Sequence, residues 1–313
     1  MSSPRTLVLA LGGNALIRPG EEGTVDEQLA CAREVAAQLR SLGAKDRVVV
    51  VHGNGPQVGR VLLRSDLCVH EVPPVPIDVA VASTCGELGL LLSQALRDEL
   101  DRPATVVLTH VRVDLDDPAF VDPTKYIGRF YTEDEAKLRA MTLGWTVKED
   151  PGRGWRRVVA SPRPQSVLEA REIGALLDVG NVVVACGGGG IPVASAHGRT
   201  FSVEAVVDKD HSAALLATQL QADELIVVTG VDEVMLDFAA PTQRPLREAT
   251  PAEMQVHLDA GQFPPGSMGP KIQAALDYLD AIEGTVRITS PECLQDALSG
   301  RRGTRIAATL STS

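Results

Sequence analysis

The chain has 313 residues, of which 44% are hydrophobic and 23% are charged, so its composition is that of a globular protein and excludes wholesale disorder. Aromatic residues make up only 3%, and the core must therefore consist mainly of Ala, Val, Leu and Ile. A formal net charge of −11 argues against general binding to nucleic acid or to anionic membranes, although it leaves room for a local basic pocket.

The cysteines and the hydropathy pattern indicate the compartment. Five scattered cysteines without a CxxC pair are typical of a reducing environment and argue against a disulfide framework or a structural zinc site. The first residues lack the pattern of a signal peptide, and no uninterrupted apolar run approaches the roughly 18 residues of a membrane span. We therefore expect a soluble, cytoplasmic protein.

Short, Val-rich runs predict β-strands, and they are apolar nearly throughout, as in strands that are covered on both faces. In chain order these runs are 6–11, 48–52, 105–110, 182–186, 225–229 and 286–289. Stretches at about 26–42 and at 271–282 have helical spacing, and 211–220 is apolar almost all round and predicts a buried helix. This alternation predicts an α/β fold, a three-layer αβα sandwich around a mainly parallel sheet.

One segment, 114–164, breaks the alternation. It is rich in Asp, Pro, Gly, Arg and Lys, and it contains both tryptophans of the chain, Trp145 and Trp155. A disordered linker would rarely concentrate the large aromatic residues of a domain. We therefore predict a small, protruding lid subdomain at 114–164, inserted within a single domain that spans 1–313.

Three glycine-rich turns each follow a predicted strand. They are Gly12-Gly13-Asn14, Gly53-Asn54-Gly55 and Gly187-Gly188-Gly189-Gly190. In an open parallel sheet, the turns at the carboxyl ends of the strands line the ligand crevice, where glycine lets backbone N–H groups approach an anion. One such turn can serve chain geometry alone, but three of them favour a crevice that binds phosphate.

Several familiar fingerprints are absent from the sequence. It has no GxxxxGK[ST] motif, no GxGxxG turn before a helix and no protein-kinase signature. It also lacks HExxH, GxSxG and clustered His and Cys residues, which leaves no case for a metalloprotease or a serine hydrolase. We expect no metal ligands from the protein itself.

Three lysines stand in unusual positions. Lys125 lies in the segment that breaks the alternation, Lys209 lies between two aspartates, and Lys271 follows a glycine-rich turn at the start of a predicted helix. We expect both of these aspartates, Asp208 and Asp210, to hold the Lys209 side chain in place. Fixed positive charge stabilises the negative charge that spreads over a moving phosphoryl group. A lone lysine is usually a solvated surface residue, and Asp208 could simply cap a helix, but three lysines near glycine turns favour phosphoryl transfer.

Seven segments together resemble the carbamate kinases of the amino acid kinase superfamily. They are ALGGNAL at 10–16, HGNGPQVG at 52–59, VDPTKYIGRFY at 121–131, GRGWRRVV at 152–159, GGGGIPV at 187–193, VEAVVDKD at 203–210 and GSMGPK at 266–271. They span nearly the whole chain in order. The first glycine turn is common to the superfamily, whereas GRGWRRVV and MGPK point to carbamate kinases.

This resemblance implies reversible phosphoryl transfer between ATP and carbamate, which gives carbamoyl phosphate and ADP, with Mg²⁺ carried by the nucleotide. It also implies a homodimer, a mobile subdomain at 114–164 and a role in arginine breakdown. Lys125, Lys209 and Lys271 would contact the transferred group, and Asp210 would orient those lysines. The residues around carbamate and its phosphate would be Gly12, Gly13, Asn14, Gly53 and Asn54. Those toward the nucleotide would be Gly187, Gly188, Gly189, Asp208, Met268 and Gly269.

Some positions depart from the expected family pattern. Thr84-Cys85 stands where Ser-Gln is common, His110 where Gln is common, and Ser202 where Gly is common. Met235 and Asp237 are atypical of the nucleotide side. None of these changes removes a lysine or a glycine turn, so we expect the activity to persist and any effect to fall on substrate positioning and nucleotide affinity. Cys85 is expected to be a small buried residue rather than a nucleophile.

Two alternatives stay open at this stage. A related kinase that acts on another small acid would use the same glycine turns and Lys209, although the motifs within 114–164 favour carbamate. A non-catalytic homologue that binds nucleotide and regulates a partner would retain the same residues. Such a protein would exchange ligands without forming ATP.

Overall fold

The computed structural model describes residues 4–18, 20–264 and 266–310. The helices α1 to α9 are Val25–Gln38, Gly55–Leu67, Ile77–Leu100, Glu133–Leu143, Ala170–Asp178, Lys209–Gln219, Pro251–Asp259, Met268–Ala281 and Leu294–Leu298. The strands β1 to β9 are Thr6–Leu11, Arg47–His52, Ala104–Val106, His110–Val113, Lys125–Tyr131, Thr146–Asp150, Gly154–Val159, Pro164–Val167 and Val182–Ala185. The strands β10 to β17 are Ile191–Ala196, Arg199–Ser202, Glu224–Val228, Val234–Leu236, Arg244–Leu246, Glu248–Ala249, Thr285–Thr289 and Thr304–Ala307.

The central sheet has eight strands in the order β15-β17-β16-β12-β1-β2-β9-β3. The strands from β16 to β3 are parallel to one another, whereas β17 is antiparallel to β16 and β15 is parallel to β17. The predicted mainly parallel sheet is therefore confirmed. Because β1, β2, β9 and β12 are parallel, they end on the same side, which we call the carboxyl edge.

The two faces of the sheet pack against two different helical layers. Val8 and Ala10 of β1 join a core cluster with buried residues of α5, α6, α7 and α8. Leu7 and Leu9 of the same strand point to the other face, where their cluster includes residues of α1, α3 and α9. Burial on both faces explains why the strands are apolar throughout, and it confirms the three-layer αβα architecture.

The prediction of one strand at 105–110 is wrong, because this segment contains parts of two strands. The chain forms β3 in the central sheet, ends it at Val106, and begins β4 at His110 in a second sheet of order β11-β10-β4-β8. Thr109 lies at the break, where its hydroxyl donates to the carbonyl of Val107 and accepts from the backbone N–H of Cys186. These hydrogen bonds of the Thr109 side chain take the place of backbone hydrogen bonds between strands, so the chain can leave the central sheet and enter the second sheet.

Within the predicted excursion, 125–159 forms a separate three-stranded antiparallel sheet, β5-β7-β6, together with α4. Tyr131 packs against Trp145 with ring centroids 6.1 Å apart, and the guanidinium of Arg157 lies 4.8 Å from the Trp145 ring. Ile127 and Val159 join a third apolar cluster that includes residues of α2 and α3. We call 125–159 the subdomain, and it packs on these two helices. The boundaries 114–164 of the lid stay a prediction.

One described helix, α3, is long and apolar enough to cross a membrane, judged by length and composition alone, with a mean hydropathy of 1.4. More than half of that apolar stretch, 56%, is buried inside the protein. Leu88 and Leu92 of α3, for example, pack against the central sheet in the same cluster as α1. The hydropathy of α3 is therefore that of a core helix.

Candidate active site

The first two glycine turns meet at the carboxyl edge. The backbone N–H of Gly12 donates to the carbonyl of Val228 at 2.8 Å, which ties the end of β1 to the end of β12. A β-carbon placed on Gly53 would lie 3.4 Å from Cδ of Lys209 and 3.6 Å from the backbone nitrogen of Gly13. The two turns and the side chain of Lys209 are therefore direct neighbours.

The tetraglycine turn lies between the second glycine turn and the start of α6. Gly188 has φ +65° and approaches the Asn54 amide so closely that a β-carbon would lie 2.3 Å from its nitrogen. Gly189 has φ +92°, and a β-carbon there would lie 2.2 Å from the carbonyl oxygen of Val207. The hydroxyl of Ser212 on α6 donates to the carbonyl of Gly189 at 2.7 Å. Only glycine fits these two positions.

Replacing Gly189 by alanine is expected to destabilise the protein because it combines left-handed backbone strain with a collision against fixed backbone. Gly180 is a matched control, since it has φ +88° but no atom within 4 Å of an added β-carbon. Gly180→Ala should cost roughly 1–2 kcal/mol of unfolding free energy, and Gly189→Ala at least ~2 kcal/mol more. Urea unfolding of both variants measures the difference; equal losses would show that the close approach to Val207 has no energetic consequence.

Two lysines converge on one buried carboxylate at the start of α6. Asp208 is the N-cap, and its Oδ1 accepts from the backbone N–H of Asp210 at 2.9 Å. Lys209, the first residue of α6, donates from Nζ to Oδ1 of Asp210 at 2.5 Å. Lys271, in the first turn of α8, donates from Nζ to Oδ2 at 2.9 Å. The Asp210 side chain is only 3% exposed, so it holds both ammonium groups in place.

Lys125 reaches the same place from the subdomain. As the first residue of β5 it donates from Nζ to Oδ2 of Asp208 at 2.8 Å. The sequence-based hypothesis that both neighbouring aspartates hold Lys209 is therefore wrong for Asp208, which caps α6 and pairs with Lys125. Asp210 alone of the two is within hydrogen-bonding distance of Lys209 among the described contacts. We call Lys125, Lys209, Lys271, Asp208 and Asp210 the lysine cluster.

Both carboxylates of the lysine cluster are ionised at neutral pH. Burial by itself would raise the pKa of Asp208, but the ammonium of Lys125 and its hydrogen bond hold that pKa well below the usual range. Burial likewise opposes ionisation of Asp210, and the charges of Lys209 and Lys271 overcome it and lower the pKa. The five side chains then carry three positive and two negative charges, so one positive charge is left for an anionic ligand.

Asn54, in the second glycine turn, is almost completely buried. Its amide nitrogen donates to the hydroxyl of Thr84 on α3 at 2.8 Å. Thr84 replaces the expected serine but retains the hydroxyl that orients Asn54. Asn14 belongs with its backbone to the 3₁₀ turn Gly13–Ala15, and its side chain lies outside the described part of the chain.

Cys85 fills the position of the expected glutamine beside the tetraglycine turn. Its Sγ is 3.0 Å from the carbonyl oxygen of Gly187, to which the thiol donates. Burial raises the pKa of the Cys85 thiol to about 12, so it is protonated at neutral pH. The expectation that Cys85 is a small buried residue is confirmed, and that it is not a nucleophile stays a prediction.

His52, the last residue of β2, is a buried site residue that the sequence reasoning missed. Its Nδ1 lies 3.1 Å from the carbonyl of Gly53, and a β-carbon on Gly187 would lie 2.6 Å from its Nε2. Burial lowers the pKa of His52 to about 4, against a smaller opposing effect of the hydrogen bond with Gly53. The neutral ring thus donates to Gly53 and stays neutral beside Lys209.

Stability should therefore fall between pH 7 and pH 5, because the unfolded histidine, with a pKa of about 6.5, binds a proton that folded His52 does not. His52 should lower the free energy of unfolding by about 2 kcal/mol over that interval. Below the folded pKa of about 4 its contribution no longer changes with pH, because the residue is then protonated in both states. Chemical unfolding at both pH values measures it. His52→Gln should remove that part of the pH dependence, while the contribution of His211, whose pKa is also lowered by burial, remains. An unchanged slope in His52→Gln would contradict the assignment.

The remaining predicted positions lie around this centre. Met268 begins α8 and packs against the core, and Gly269 approaches the carbonyl of Pro264 so closely that a β-carbon would lie 3.1 Å away. Both precede Lys271 within the first turn of α8, so their packing fixes the position of the backbone from which the Lys271 side chain extends. Their contact with a nucleotide stays a prediction.

The other departures from the family pattern lie in β4, β11 and β13 or directly after β13. His110 is held at the start of β4 by Glu169, which accepts from its backbone N–H and lies 2.7 Å from its Nδ1. Ser202 ends the exposed strand β11, and Met235 lies half-buried in β13. Asp237 follows β13 with a left-handed φ of 53°. Their effect on substrate positioning and nucleotide affinity stays a prediction.

The groups at this edge suit an anion. Glycine backbone, three lysines and neutral amide and hydroxyl groups lie there, which suits a phosphate group. Within 4–18, 20–264 and 266–310, no group of three or more His, Cys, Asp or Glu side chains could hold a metal ion.

Comparison with known proteins agrees with this geometry. The profile of the Amino acid kinase family matches residues 5–290. The carbamate kinase of Pyrococcus horikoshii is 42% identical over 311 residues, which is 97% of this chain and 99% of that protein. The carbamate kinase-like protein YahI of Escherichia coli K12 is also 42% identical, over 97% and 99% of the two chains.

A solved structure gives the same result for the fold. The structure titled as carbamate kinase from Giardia lamblia bound to AMP-PNP superposes with a TM-score of 0.91 at 39% identity, covering 98% of this chain and 99% of the other. Sequence and structure are thus similar over the full length, including the subdomain. The chain therefore belongs to the amino acid kinase family and, within it, to the carbamate kinases.

Proposed function

We propose that this protein catalyses reversible phosphoryl transfer between ATP and carbamate, with the lysine cluster stabilising the transferred group. The observation that carries the proposal is the pair of largely buried lysines, Lys209 and Lys271, held on the almost fully buried Asp210 where the glycine turns meet. The similarity to proteins named carbamate kinase supports carbamate as the acceptor.

In this mechanism the protein supplies position and charge and forms no covalent intermediate. The phosphoryl group passes directly between an oxygen of carbamate and the terminal phosphate of ADP, and negative charge spreads over its three outer oxygens. Lys209 and Lys271 oppose that charge from the starts of two helices, whose N-terminal dipoles have the same sign. Asp210 fixes both ammonium groups before the substrates arrive, so little reorganisation is needed.

The nucleotide would bring Mg²⁺ with it. Mg²⁺ prefers oxygen ligands, retains several waters and is commonly held by substrate phosphates. We propose that the ion enters as the complex with ADP or ATP and neutralises phosphate charge. The dependence of the rate on Mg²⁺ should then follow the concentration of the metal–nucleotide complex rather than that of the free ion.

The subdomain would act as a lid over the acceptor. Lys125 is on the subdomain, half-exposed, and already bridges to Asp208 on the main body. Closure would carry Lys125 to the transferred group and exclude water, which hydrolyses both carbamate and carbamoyl phosphate. We place this motion within the predicted boundaries 114–164.

Hydrogen exchange tests the lid. Amides of β5, β6 and β7 should exchange more slowly in the presence of ADP, Mg²⁺ and carbamoyl phosphate than in the free protein, whereas α1, on the far face of the sheet, serves as the internal control. Slower exchange confined to these strands is the expected outcome. Identical exchange across 114–164 in both states would contradict closure.

The physiological setting is proposed from the resemblance alone. We propose a cytoplasmic homodimer that makes ATP from carbamoyl phosphate at the end of arginine breakdown. The scattered cysteines, all of them free in the structure, suit a reducing compartment. Sedimentation of the purified protein tests the assembly state.

A coupled assay tests the proposed function. Purified protein, ADP, Mg²⁺ and carbamoyl phosphate are mixed with glucose, hexokinase and glucose-6-phosphate dehydrogenase, so that ATP formed appears as NADPH. Omission of each substrate gives the background. Sustained ATP formation is expected; binding of ADP without ATP formation would instead favour a nucleotide-binding homologue.

A further inference from the structure

A cavity of about 420 Å³ lies between the first turns of α2 and the sheet of the subdomain. Four of its lining residues are glycine or proline, namely Gly55, Pro56, Gly59 and Gly128. Its charged lining residues are Arg60 on α2 and Arg129 and Arg156 on the subdomain. No acidic side chain is among its lining residues. In a protein with a formal net charge of −11, this concentration of positive charge is unusual.

The charges of these arginines are poorly compensated. Arg60 donates to the backbone carbonyls of Glu22 and Gly23, which do not neutralise it. Within the described residues, no carboxylate oxygen lies within 4 Å of the exposed guanidinium of Arg129, which stacks on the Tyr131 ring at 4.8 Å. The carboxylates of Asp66 and Glu135 lie beyond that distance but are within reach of its charge.

Arg156 is fixed but also incompletely satisfied. Its guanidinium lies 5.0 Å from the centre of the Phe130 ring and donates to the carbonyl of Gly128 at 3.0 Å. Among the residues that the structure describes, its buried Nε has no hydrogen-bond partner, and the carboxylate paired with its guanidinium, that of Asp150, is 3.6 Å away. The three arginines thus leave at least two positive charges without a close carboxylate.

The position of the cavity relates it to the reaction. On the main body, its lining residues Gly55 and Pro56 directly follow Asn54 of the second glycine turn. On the subdomain, Gly128 and Arg129 follow Lys125 along the same strand, β5. The cavity is therefore lined by the chain segments that continue directly from Asn54 on the main body and along the strand of Lys125 on the subdomain.

We propose that this arginine cavity captures the anionic acceptor, carbamoyl phosphate or carbamate, before it moves to the lysine cluster, and that Arg129 is its principal steering residue. The inference rests on the proposed function, because it concerns the acceptor of that reaction. Guanidinium groups that lack a carboxylate at ion-pairing distance, as Arg60 and Arg129 do in the described part of the chain, attract in a concave site an anion that the net charge of the protein repels. Arg129 acts on substrate capture and positioning, not on the chemical step.

The kinetic test compares two variants that each remove one positive charge from the subdomain. Arg129→Gln removes a charge that lines the cavity. Arg153→Gln is the matched control, since Arg153 is also exposed and stacks on an aromatic ring, Phe130, at 4.7 Å, but does not line the cavity. Arg129→Gln should raise KM for carbamoyl phosphate roughly 3- to 10-fold, with much smaller changes in KM for ADP and in kcat.

Ionic strength gives a second kinetic readout. Between 10 mM and 150 mM salt the Debye length falls from about 30 to about 8 Å, so steering by Arg129 should weaken. kcat/KM for carbamoyl phosphate should fall less steeply with salt in Arg129→Gln than in the wild type or in Arg153→Gln. Equal KM values and equal salt slopes in the two variants would overturn the proposal, as would a loss of kcat in Arg129→Gln with unchanged KM.

A binding measurement separates this inference from the proposed function. Both tryptophans, Trp145 and Trp155, lie in the subdomain, so their fluorescence reports on an anion bound against it. Titration with inorganic phosphate, at ionic strength held constant with chloride, should give a saturable change that weakens in Arg129→Gln and not in Arg153→Gln. This result would support the cavity even if no ATP were formed, whereas the absence of a saturable change, or equal binding by all three proteins, would overturn it.

Discussion

Replacing Lys271 or Lys209 by alanine is expected to lower kcat by about 100- to 1000-fold, which corresponds to the loss of one preorganised charge that stabilises the transition state. KM for ADP should change far less, because in the proposed mechanism both ammonium groups contact the transferred group and not the nucleotide base. Each lysine is held by Asp210 at hydrogen-bonding distance and is largely buried, so water would not replace its charge efficiently. Steady-state kinetics with varied ADP measure both quantities.

Two further variants show whether the loss of kcat is specific to these lysines. Lys137→Ala is the control, since Lys137 is an exposed lysine on α4 that pairs with Glu133 away from the site, and it should retain wild-type kinetics. Lys271→Arg should fail almost as completely as Lys271→Ala, because a planar guanidinium does not replace a compact ammonium group in a tight site. Near-normal turnover in folded Lys209→Ala and Lys271→Ala would show that neither lysine acts on the transferred phosphoryl group.

Asp210→Asn is expected to reduce both stability and activity. The substitution removes the charge that compensates two ammonium groups around an almost fully buried position, and breaking a buried ion pair typically costs roughly 3–5 kcal/mol. Lys209 and Lys271 would then repel each other and lose their fixed orientation. Urea unfolding should show a large loss of free energy, and kcat should fall at least as far as in the single lysine variants.

Asp208→Asn is the matched comparison, two residues away on the same helix start. Its side chain is 22% exposed, and its partner Lys125 is 40% exposed, so solvent screens that pair and its loss should cost on the order of 1 kcal/mol or less. The asparagine can still cap α6. Equal destabilisation by the two substitutions would contradict the central position that we assign to Asp210.

Local patterns in the sequence predicted those parts of the protein that depend on neighbouring residues. Strand β1 begins and ends where its apolar run does, because burial on both faces requires apolar residues throughout. Lys209 and Asp210 are adjacent in the chain, so their contact could be anticipated. The prediction at 105–110 failed because a single hydroxyl, that of Thr109, interrupts an apolar run that otherwise reads as one strand.

Long-range pairs could not be predicted in this way. Lys125 and Asp208 are 83 positions apart, and Lys271 and Asp210 are 61 positions apart, so only the assembled fold brings them together. From the sequence we expected the lysines to share one site, but we paired Asp208 with Lys209, its neighbour in the chain, whereas it pairs with Lys125. The arginine cavity was missed for the same reason, since α2 and the subdomain meet only in three dimensions.

A single-turnover experiment tests most directly the claim that the two lysines on Asp210 carry the transfer. Excess protein is mixed with limiting radiolabelled ADP, Mg²⁺ and carbamoyl phosphate, quenched at intervals and analysed for labelled ATP, with ADP affinity measured separately by calorimetry. The wild type should convert bound ADP to ATP, and the Lys209→Ala/Lys271→Ala double variant should bind ADP with similar affinity but form ATP at least about 100-fold more slowly. ATP formation by the double variant at the wild-type rate would contradict the account.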